Sequence, residues 1–268
     1  MKTGETTLES KGATLYAQWW LPEGEPRAVV AIVHGYAEHS GRYAQTAADL
    51  VAKGYAVEAL DLRGHGRSSG ERVYVESYED YLNDVDAFLE RVRGQHPGKK
   101  LFLLGHSMGG GVVSSYIIDR KPVLDGVILS GAAMLARREE PPAGAAPTPP
   151  RSGPLPAETI SRDPAVVAAY ESDPLVYRGA PPDRSGAAWA GAYMAVQEGM
   201  AGIAYPLLIL HGTDDKLVPY RGSVQLNEVA RSTDKTLKLY DGLYHEVLNE
   251  PERDQVIADI SAWLDARS

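Results

Sequence analysis

The stretch LFLLGHSMGGG, residues 101–111, places a serine between glycines at the point where an apolar run ends. The segment that follows, VVSSYIIDR, has the composition of a helix. Between a strand and a helix, a Gly-x-Ser-x-Gly pentapeptide holds its serine on a sharp, strained turn, because small neighbours let the chain fold tightly. We therefore predict that Ser107 is a nucleophile at the C-terminal edge of a sheet. The N-terminus of the following helix would favour negative charge there.

Short apolar runs alternate with helical stretches along the rest of the chain. The predicted strands are 28–35, 55–62, 101–107, 125–131, 206–212 and 236–242, and the predicted helices lie near 41–53, 78–94, 107–120, 220–231 and 252–266. Such alternation predicts an α/β fold with a mostly parallel central sheet and helices on both faces. Residues 13–21 predict an antiparallel edge hairpin with its partner upstream. In the last helix, helical spacing predicts a buried face of Val256, Ile257, Ile260, Trp263 and Leu264.

Residues 132–205 interrupt this rhythm and contain 11 of the 18 prolines. We interpret them as a cap inserted into a core formed by 1–131 and 206–268. The part 137–156 is too rich in proline for helix or sheet and is predicted to be poorly ordered. Two cap helices are expected, at 163–175 and 185–203. The second carries an apolar stripe that either packs on the core or roofs a pocket. The stripe consists of Trp189, Tyr193, Val196, Met200 and Ile203.

A serine nucleophile needs a histidine as general base and an acid that orients the histidine. In a sheet of this kind the three groups follow the chain order serine, acid, histidine. Of the 7 histidines, only His211 and His245 lie well after Ser107. Only His245 leaves room for an acid at the end of a preceding strand, so we predict that His245 is the base.

The acid is expected just after the strand PLLILHG, at 206–212. Asp214 and Asp215 both lie there. The spacing Gly212-x-x-Asp215 before KLVP favours Asp215, and Asp214 would cap or brace the turn. Asp241, after the last strand, is a third candidate.

An oxyanion formed at the attacked carbonyl needs two backbone N–H donors. One should be the N–H of Met108, directly after the nucleophile. The other should come from the loop after an earlier strand, and AIVHGYAEHSGRY, 31–43, predicts the N–H of Tyr36. The alternative for this loop is a plain strand-to-helix turn.

Composition excludes several other classes of function. The net charge of −9 and the absence of a basic patch argue against nucleic acid as a partner. With no cysteine the chain has neither disulfides nor a thiolate metal site. No group of His, Asp and Glu has metal-ligand spacing, and a serine triad needs no metal or other cofactor. In 61–72 the glycines at 64, 66 and 70 do not match the dinucleotide pattern, so a structural turn is expected.

The sequence also bears on location. The N-terminal MKTGETTLESKG lacks the apolar core of a signal peptide, and no apolar run approaches the roughly 18 residues of a membrane helix. We expect a cytoplasmic protein without a transmembrane segment. Contact with a membrane surface and the oligomeric state are left open.

Six motifs together resemble the monoacylglycerol lipases of the α/β-hydrolase superfamily, most closely the bacterial ones. In chain order they are HGYAEHSGRY, DLRGHGRSSGER, GHSMGG, ISRDPAVVAAYESDPLVYRG, HGTDDKLVP and GLYHEVLNEPER. The resemblance covers nearly the whole chain and implies cofactor-free cleavage of monoacylglycerols to glycerol and fatty acid. By position it implies Ser107 as nucleophile, Asp215 as acid and His245 as base. It also implies oxyanion donors at Tyr36 and Met108.

The resemblance further implies that polar groups hold the glycerol end of the substrate, at Glu38, Arg42 and Tyr170. Trp189 and Met200, from the apolar stripe, are our candidates for the acyl side. One departure stands out: family caps continue with an apolar helix thought to touch membranes, whereas 136–156 is polar and proline-rich here. Membrane attachment and a long acyl tunnel are therefore not expected to carry over.

The function expected from the sequence is hydrolysis of monoacylglycerols, or similar small lipid esters, through an acyl-enzyme. The alternative is a carboxylesterase of broader specificity or a lysophospholipase with the same triad. A non-catalytic ligand receptor on the same fold is a further alternative, although such receptors usually lack a member of the triad.

Overall fold

The computed structural model describes residues 1–134, 155–180 and 182–268. An eight-stranded sheet has the strand order β1-β2-β4-β3-β5-β6-β7-β8. Its strands are β1 (Lys2–Ser10), β2 (Ala13–Leu21), β3 (Val29–Val33), β4 (Ala56–Leu60), β5 (Leu101–His106), β6 (Gly126–Ser130), β7 (Leu207–Gly212) and β8 (Lys235–Tyr240). The pairs β1–β2 and β2–β4 are antiparallel, and the other pairs are parallel. The predicted parallel sheet and edge hairpin are confirmed.

The helices lie close to their predicted bounds. They are α1 (Ala44–Ala52), α2 (Glu79–Gln95), α3 (Met108–Asp119), α4 (Pro164–Ser172), α5 (Asp183–Gly199), α6 (Arg221–Val229) and α7 (Arg253–Asp265). One difference is at Ser40–Tyr43, where the chain forms a 3-10 turn before α1. The side chain of His39 caps this turn by accepting a hydrogen bond from the N–H of Gly41, which starts the turn earlier than apolar periodicity indicates.

The sheet separates two apolar clusters, and β3 shows why. Val29, Ala31 and Val33 contact one cluster, whereas Val30 and Ile32 contact the other, because side chains alternate across a strand. Helices α2 and α3 cover the first face, and α1 and α7 cover the second. The five residues predicted for the inner face of α7 are all buried, so that prediction is confirmed.

Between β6 and β7 the chain leaves the sheet and forms α4 and α5. The segment predicted to be poorly ordered, 137–156, lies outside the described residues except at its last two positions. No helix in the described ranges combines the length and the apolar character needed to cross a membrane.

Candidate active site

Ser107 lies on the turn between β5 and α3 in a strained conformation. Its φ of 53° falls in the left-handed region that non-glycine residues rarely adopt, and such strain is typical of functional sites. A Cβ on Gly109 would lie 2.3 Å from the carbonyl oxygens of Val33 and His34, and one on Gly105 would lie 2.6 Å from the carbonyl oxygen of Gly109. Both glycines are thus required by close backbone contacts that hold the serine on this turn.

His245 joins Ser107 to Asp215. Its Nε2 lies 2.8 Å from Oγ of Ser107, and its Nδ1 lies 2.7 Å from Oδ2 of Asp215. Because an ionised carboxylate only accepts, the network assigns the proton to Nδ1 and leaves Nε2 to accept from the serine hydroxyl. The structure therefore brings together the three residues that the chain order selected, and it brings Asp215 rather than Asp214 to the histidine.

Both carboxylate oxygens of Asp215 accept hydrogen bonds. Its Oδ1 accepts the N–H groups of Leu217 and Val218 at 2.8 and 2.9 Å. Its Oδ2 accepts from His245 and also from Nε2 of His211 at 3.0 Å. Burial alone would raise the pKa of Asp215, but the hydrogen bonds from His211 and His245 outweigh it and hold that pKa below its usual range. Asp215 is therefore a fixed anion beside the imidazole.

A second imidazole packs against His245. The rings of His106 and His245 lie 4.8 Å apart between centroids, and Nδ1 of His106 donates to the carbonyl oxygen of Ser130 at 2.9 Å. Burial, and next the charge that His245 can carry, lower the pKa of His106 to about 4. His106 is thus a neutral neighbour that does not compete for the proton of Ser107.

The loop after β3 passes directly against the serine. A Cβ on Gly35 would lie 3.1 Å from Cβ of Ser107 and 2.8 Å from Oε1 of Glu38, so a glycine favours this close approach of the loop. The N–H of Gly35 donates to Oε1 of Glu38 at 2.6 Å. Met108 is the first residue of α3, and its N–H therefore has no acceptor within the helix. The predicted donor positions, Tyr36 and Met108, thus lie beside Ser107 in two adjoining backbone turns.

Glu38, Arg42 and Tyr170 also lie together, but they are held by a partner that sequence reasoning missed. Nη1 of Arg42 donates to Glu38 and to Glu246, each at 2.7 Å, and Nη2 donates to Glu246 at 2.8 Å. The guanidinium lies 4.8 Å from the centroid of the Tyr170 ring. We call Glu38, Arg42 and Glu246 the carboxylate bridge. It connects the loop after β3 to the loop that carries His245.

Charge compensation explains how this bridge is buried. Burial alone would raise the pKa of Glu38, but Arg42, and next His106 and His34, lower it to about 2. The pKa of Arg42 is raised, because Glu246 and Glu38 together outweigh the effect of burial. Glu38 is therefore an anion beside the Arg42 guanidinium, and three N–H donors of Arg42 are already engaged by the two carboxylates.

The two predicted acyl-side residues lie in different places. Trp189 of α5 packs edge-on against Tyr36, with 5.4 Å between ring centroids, and so covers the loop beside Ser107. Met200 is buried in the main apolar cluster. A Cβ on the preceding Gly199 would meet Ile118, which is about 16 Å along α3 from Ser107. Met200, the next residue, therefore lies near the end of α3 that is far from Ser107.

Sequence reasoning also missed two residues that form hydrogen bonds around Asp215. His211 donates to Asp215, and Nδ1 of His211 lies 2.7 Å from Oγ of Ser223, which donates to it. The sequence does contain a signal for His211, a histidine four residues before the acid in HGTDD. Nothing in the sequence pointed to Ser223. Glu246 had the simple signal of being next to the base.

A model of the Hydrolase_4 family, described as serine aminopeptidase, S33, matches residues 24–252. A monoacylglycerol lipase from Mycolicibacterium smegmatis is 39% identical over 262 residues, which are 94% of this chain and 93% of that protein. The human monoglyceride lipase is 34% identical over 272 residues, which are 97% of this chain and 90% of that protein.

Comparison with solved structures finds the same kind of protein. The crystal structure of the Paleococcus ferrophilus monoacylglycerol lipase superimposes with a TM-score of 0.80 at 32% identity. The match covers 95% of this chain and 99% of that one. The described fold is thus the α/β-hydrolase fold, as predicted.

Proposed function

The chain belongs to the Hydrolase_4 family of serine hydrolases and, within it, to the monoacylglycerol lipases, and from this premise we propose that it hydrolyses monoacylglycerols at Ser107. Asp215 and His245 complete the triad. The observation that carries the proposal is the unbroken series of contacts from Asp215 through His245 to the hydroxyl of Ser107, at 2.7 and 2.8 Å.

In the acylation step, Oγ of Ser107 attacks the ester carbonyl while Nε2 of His245 takes the hydroxyl proton. The negative charge of the tetrahedral intermediate moves onto the former carbonyl oxygen, where the N–H groups of Tyr36 and Met108 stabilise it. The anion of Asp215 stabilises the imidazolium that forms. When the intermediate collapses, the C–O bond to glycerol breaks and His245 gives its proton to the leaving oxygen.

In the deacylation step, water replaces the alcohol. His245 takes one proton from the water, whose oxygen attacks the acyl carbonyl and forms a second tetrahedral intermediate. Its collapse releases the fatty acid and returns the proton to Oγ of Ser107. Removing one oxyanion donor from such a site reduces kcat by about 10²–10³-fold.

We assign 132–205 the role of a cap over a core of 1–131 and 206–268. The contact of Trp189 with Tyr36 supports a role for Trp189 in covering the acyl side. The alcohol side would adjoin Arg42 and Tyr170, and the hydroxyl of Tyr170 has no partner among the described residues. A cytoplasmic location is part of the proposal, supported by the lack of cysteine.

The test is an ester panel with a fluorophosphonate label. Wild-type protein should cleave a monoacylglycerol faster than the matching lysophospholipid and should be labelled once, at Ser107. Ser107→Ala should lose the label, and kcat should fall on the order of 10⁶-fold with an intact fold. Faster cleavage of the lysophospholipid would select the alternative substrate class, and labelling at another residue would remove Ser107 as the nucleophile.

A further inference from the structure

A cavity of about 730 Å³ lies at the end of α3 that is far from Ser107. Its apolar walls are formed by Ile117, Ile118, Leu124, Ile203 and Pro206. Ile117 follows Ser107 by ten residues of α3, which corresponds to about 15 Å along the helix. This cavity is therefore separate from the site built around the serine.

Two cations, Lys121 and Arg231, line the same cavity, and both are exposed. Neither side chain forms an ion pair or a hydrogen bond with any residue in the described ranges. Lys121 has a φ of 49°, so the chain turns in a left-handed conformation as it leaves α3. On a protein with a net charge of −9, two uncompensated cations beside an apolar cavity favour a ligand with the opposite charge.

Apolar walls with cations beside them match a long-chain carboxylate. The alkyl chain of the ligand is stabilised when its methylenes leave water for the apolar walls, while the carboxylate pairs with Lys121 and Arg231. A neutral lipid would leave the cations unused, and a small anion would leave the apolar walls uncovered.

We propose that this cavity binds a fatty-acid anion, separately from catalysis. Such an anion is the product of the reaction proposed above, so the source of the ligand rests on the proposed function. The chemistry of the ligand is inferred from the cavity itself. Bound there, the alkyl chain would lie against the end of α3 and against the turn that follows α5, where Gly202 and Ile203 form one wall.

Gly202 allows the cavity to be filled without disturbing the fold. A Cβ built on Gly202 has no atom within 4 Å, and the residue is exposed. Gly202→Phe should therefore place a ring in the cavity. Gly94 in α2 is equally open and exposed, which makes Gly94→Phe the matched control.

The experiment uses wild-type protein whose Ser107 carries an alkyl phosphonate, so that the acyl side of the catalytic site is occupied. Calorimetric titration with laurate, below its micellar concentration, should show one saturable site. Lys121→Glu with Arg231→Glu should weaken binding at least tenfold, and Gly202→Phe should abolish it. Lys11→Glu with Lys53→Glu, and Gly94→Phe, should leave it unchanged.

Two further ligands identify the source of the binding energy. Lauryl alcohol should bind at least tenfold more weakly than laurate, and inorganic phosphate should not compete. Absence of saturable laurate binding, or equal binding by the Gly202→Phe protein, would overturn the proposal. The proposal would also be overturned if the protein sedimented with phosphatidylglycerol vesicles but did not bind monomeric laurate. That result would assign this face to a membrane. Phosphonate labelling reports separately on Ser107, so the two proposals can fail independently.

Discussion

Two buried charge networks meet at consecutive residues of one loop. His245 belongs to the series Asp215–His245–Ser107, and Glu246 belongs to the carboxylate bridge with Glu38 and Arg42. Their hydrogen bonds have the same lengths, 2.7 and 2.8 Å in both networks. Both are almost completely removed from solvent. Distance and burial alone do not distinguish them.

The difference lies in the central group. An imidazole titrates near neutral pH and can pass a proton from one ring nitrogen while it holds another. A guanidinium keeps its proton at every pH at which proteins fold, so it can only bind and orient. The first network is therefore suited to move a proton during the reaction, and the second to hold two loops in register. Variants in each network test this difference.

The largest effect is expected from the acid of the first network. Asp215→Asn should reduce kcat by about 10⁴-fold, because an amide favours the wrong tautomer of His245. Asp214→Asn is the matched control and should have little effect. Steady-state rates on a monoacylglycerol measure both. The reverse ranking would show that the neighbouring aspartate is the acid.

The central cation of the second network should affect stability more than chemistry. Arg42→Met leaves two carboxylates buried and unpaired, and it should lower the free energy of unfolding by about 3–5 kcal/mol. Urea denaturation measures this. The control, Arg253→Met, removes a more exposed pair with Asp49 and should cost less than about 1 kcal/mol.

Activity of the Arg42 variant separates positioning from recognition of the glycerol end. If the bridge positions the loops, kcat/KM should fall by the same factor for a monoacylglycerol and for a p-nitrophenyl ester. A rise in KM confined to the monoacylglycerol, at unchanged stability, would show instead that Arg42 binds the head group.

Acid should weaken the second network in a predictable range of pH. Arg42 and the nearby histidines hold the folded-state pKa of Glu38 at about 2, below its value in the unfolded chain. The ionised carboxylate therefore stabilises the fold above about pH 4, and this contribution is lost as the pH falls towards about 2. Urea midpoints of wild type and Glu38→Gln should differ most near neutral pH and converge on acidification. A constant difference would contradict this assignment.

The smallest effect is expected from Trp189, which packs over the loop beside Ser107. Trp189→Ala should change the ratio of rates on long and short acyl chains by up to about tenfold, since a methylene contact is worth about 1–3 kcal/mol. Met200→Ala is the control. It should destabilise the core by about 2–5 kcal/mol and leave the ratio unchanged. An altered ratio in the Met200 variant would return that residue to the acyl side.

The periodic parts of this molecule were predictable because the signal for them is local. A strand such as Val29–Val33 is apolar at every position, and a helix such as α7 repeats its buried residues with the period of the helix. The three residues of the proposed triad could also be selected from the sequence, since the turn around Ser107 and the fixed chain order point to them. Their roles in catalysis stay predictions until the variants are measured.

The sequence alone was enough to predict the α/β fold, the turn at Ser107 and the choice of His245 and Asp215 as candidates. These follow from periodicity and from the close backbone contacts that only glycine allows. What occupies Arg42 and where Met200 lies became evident only in the folded chain. Both depend on residues far apart in sequence, such as Arg42 and Glu246, which are 204 residues apart. No local pattern records such pairings, because folding alone determines which distant charges share a buried space.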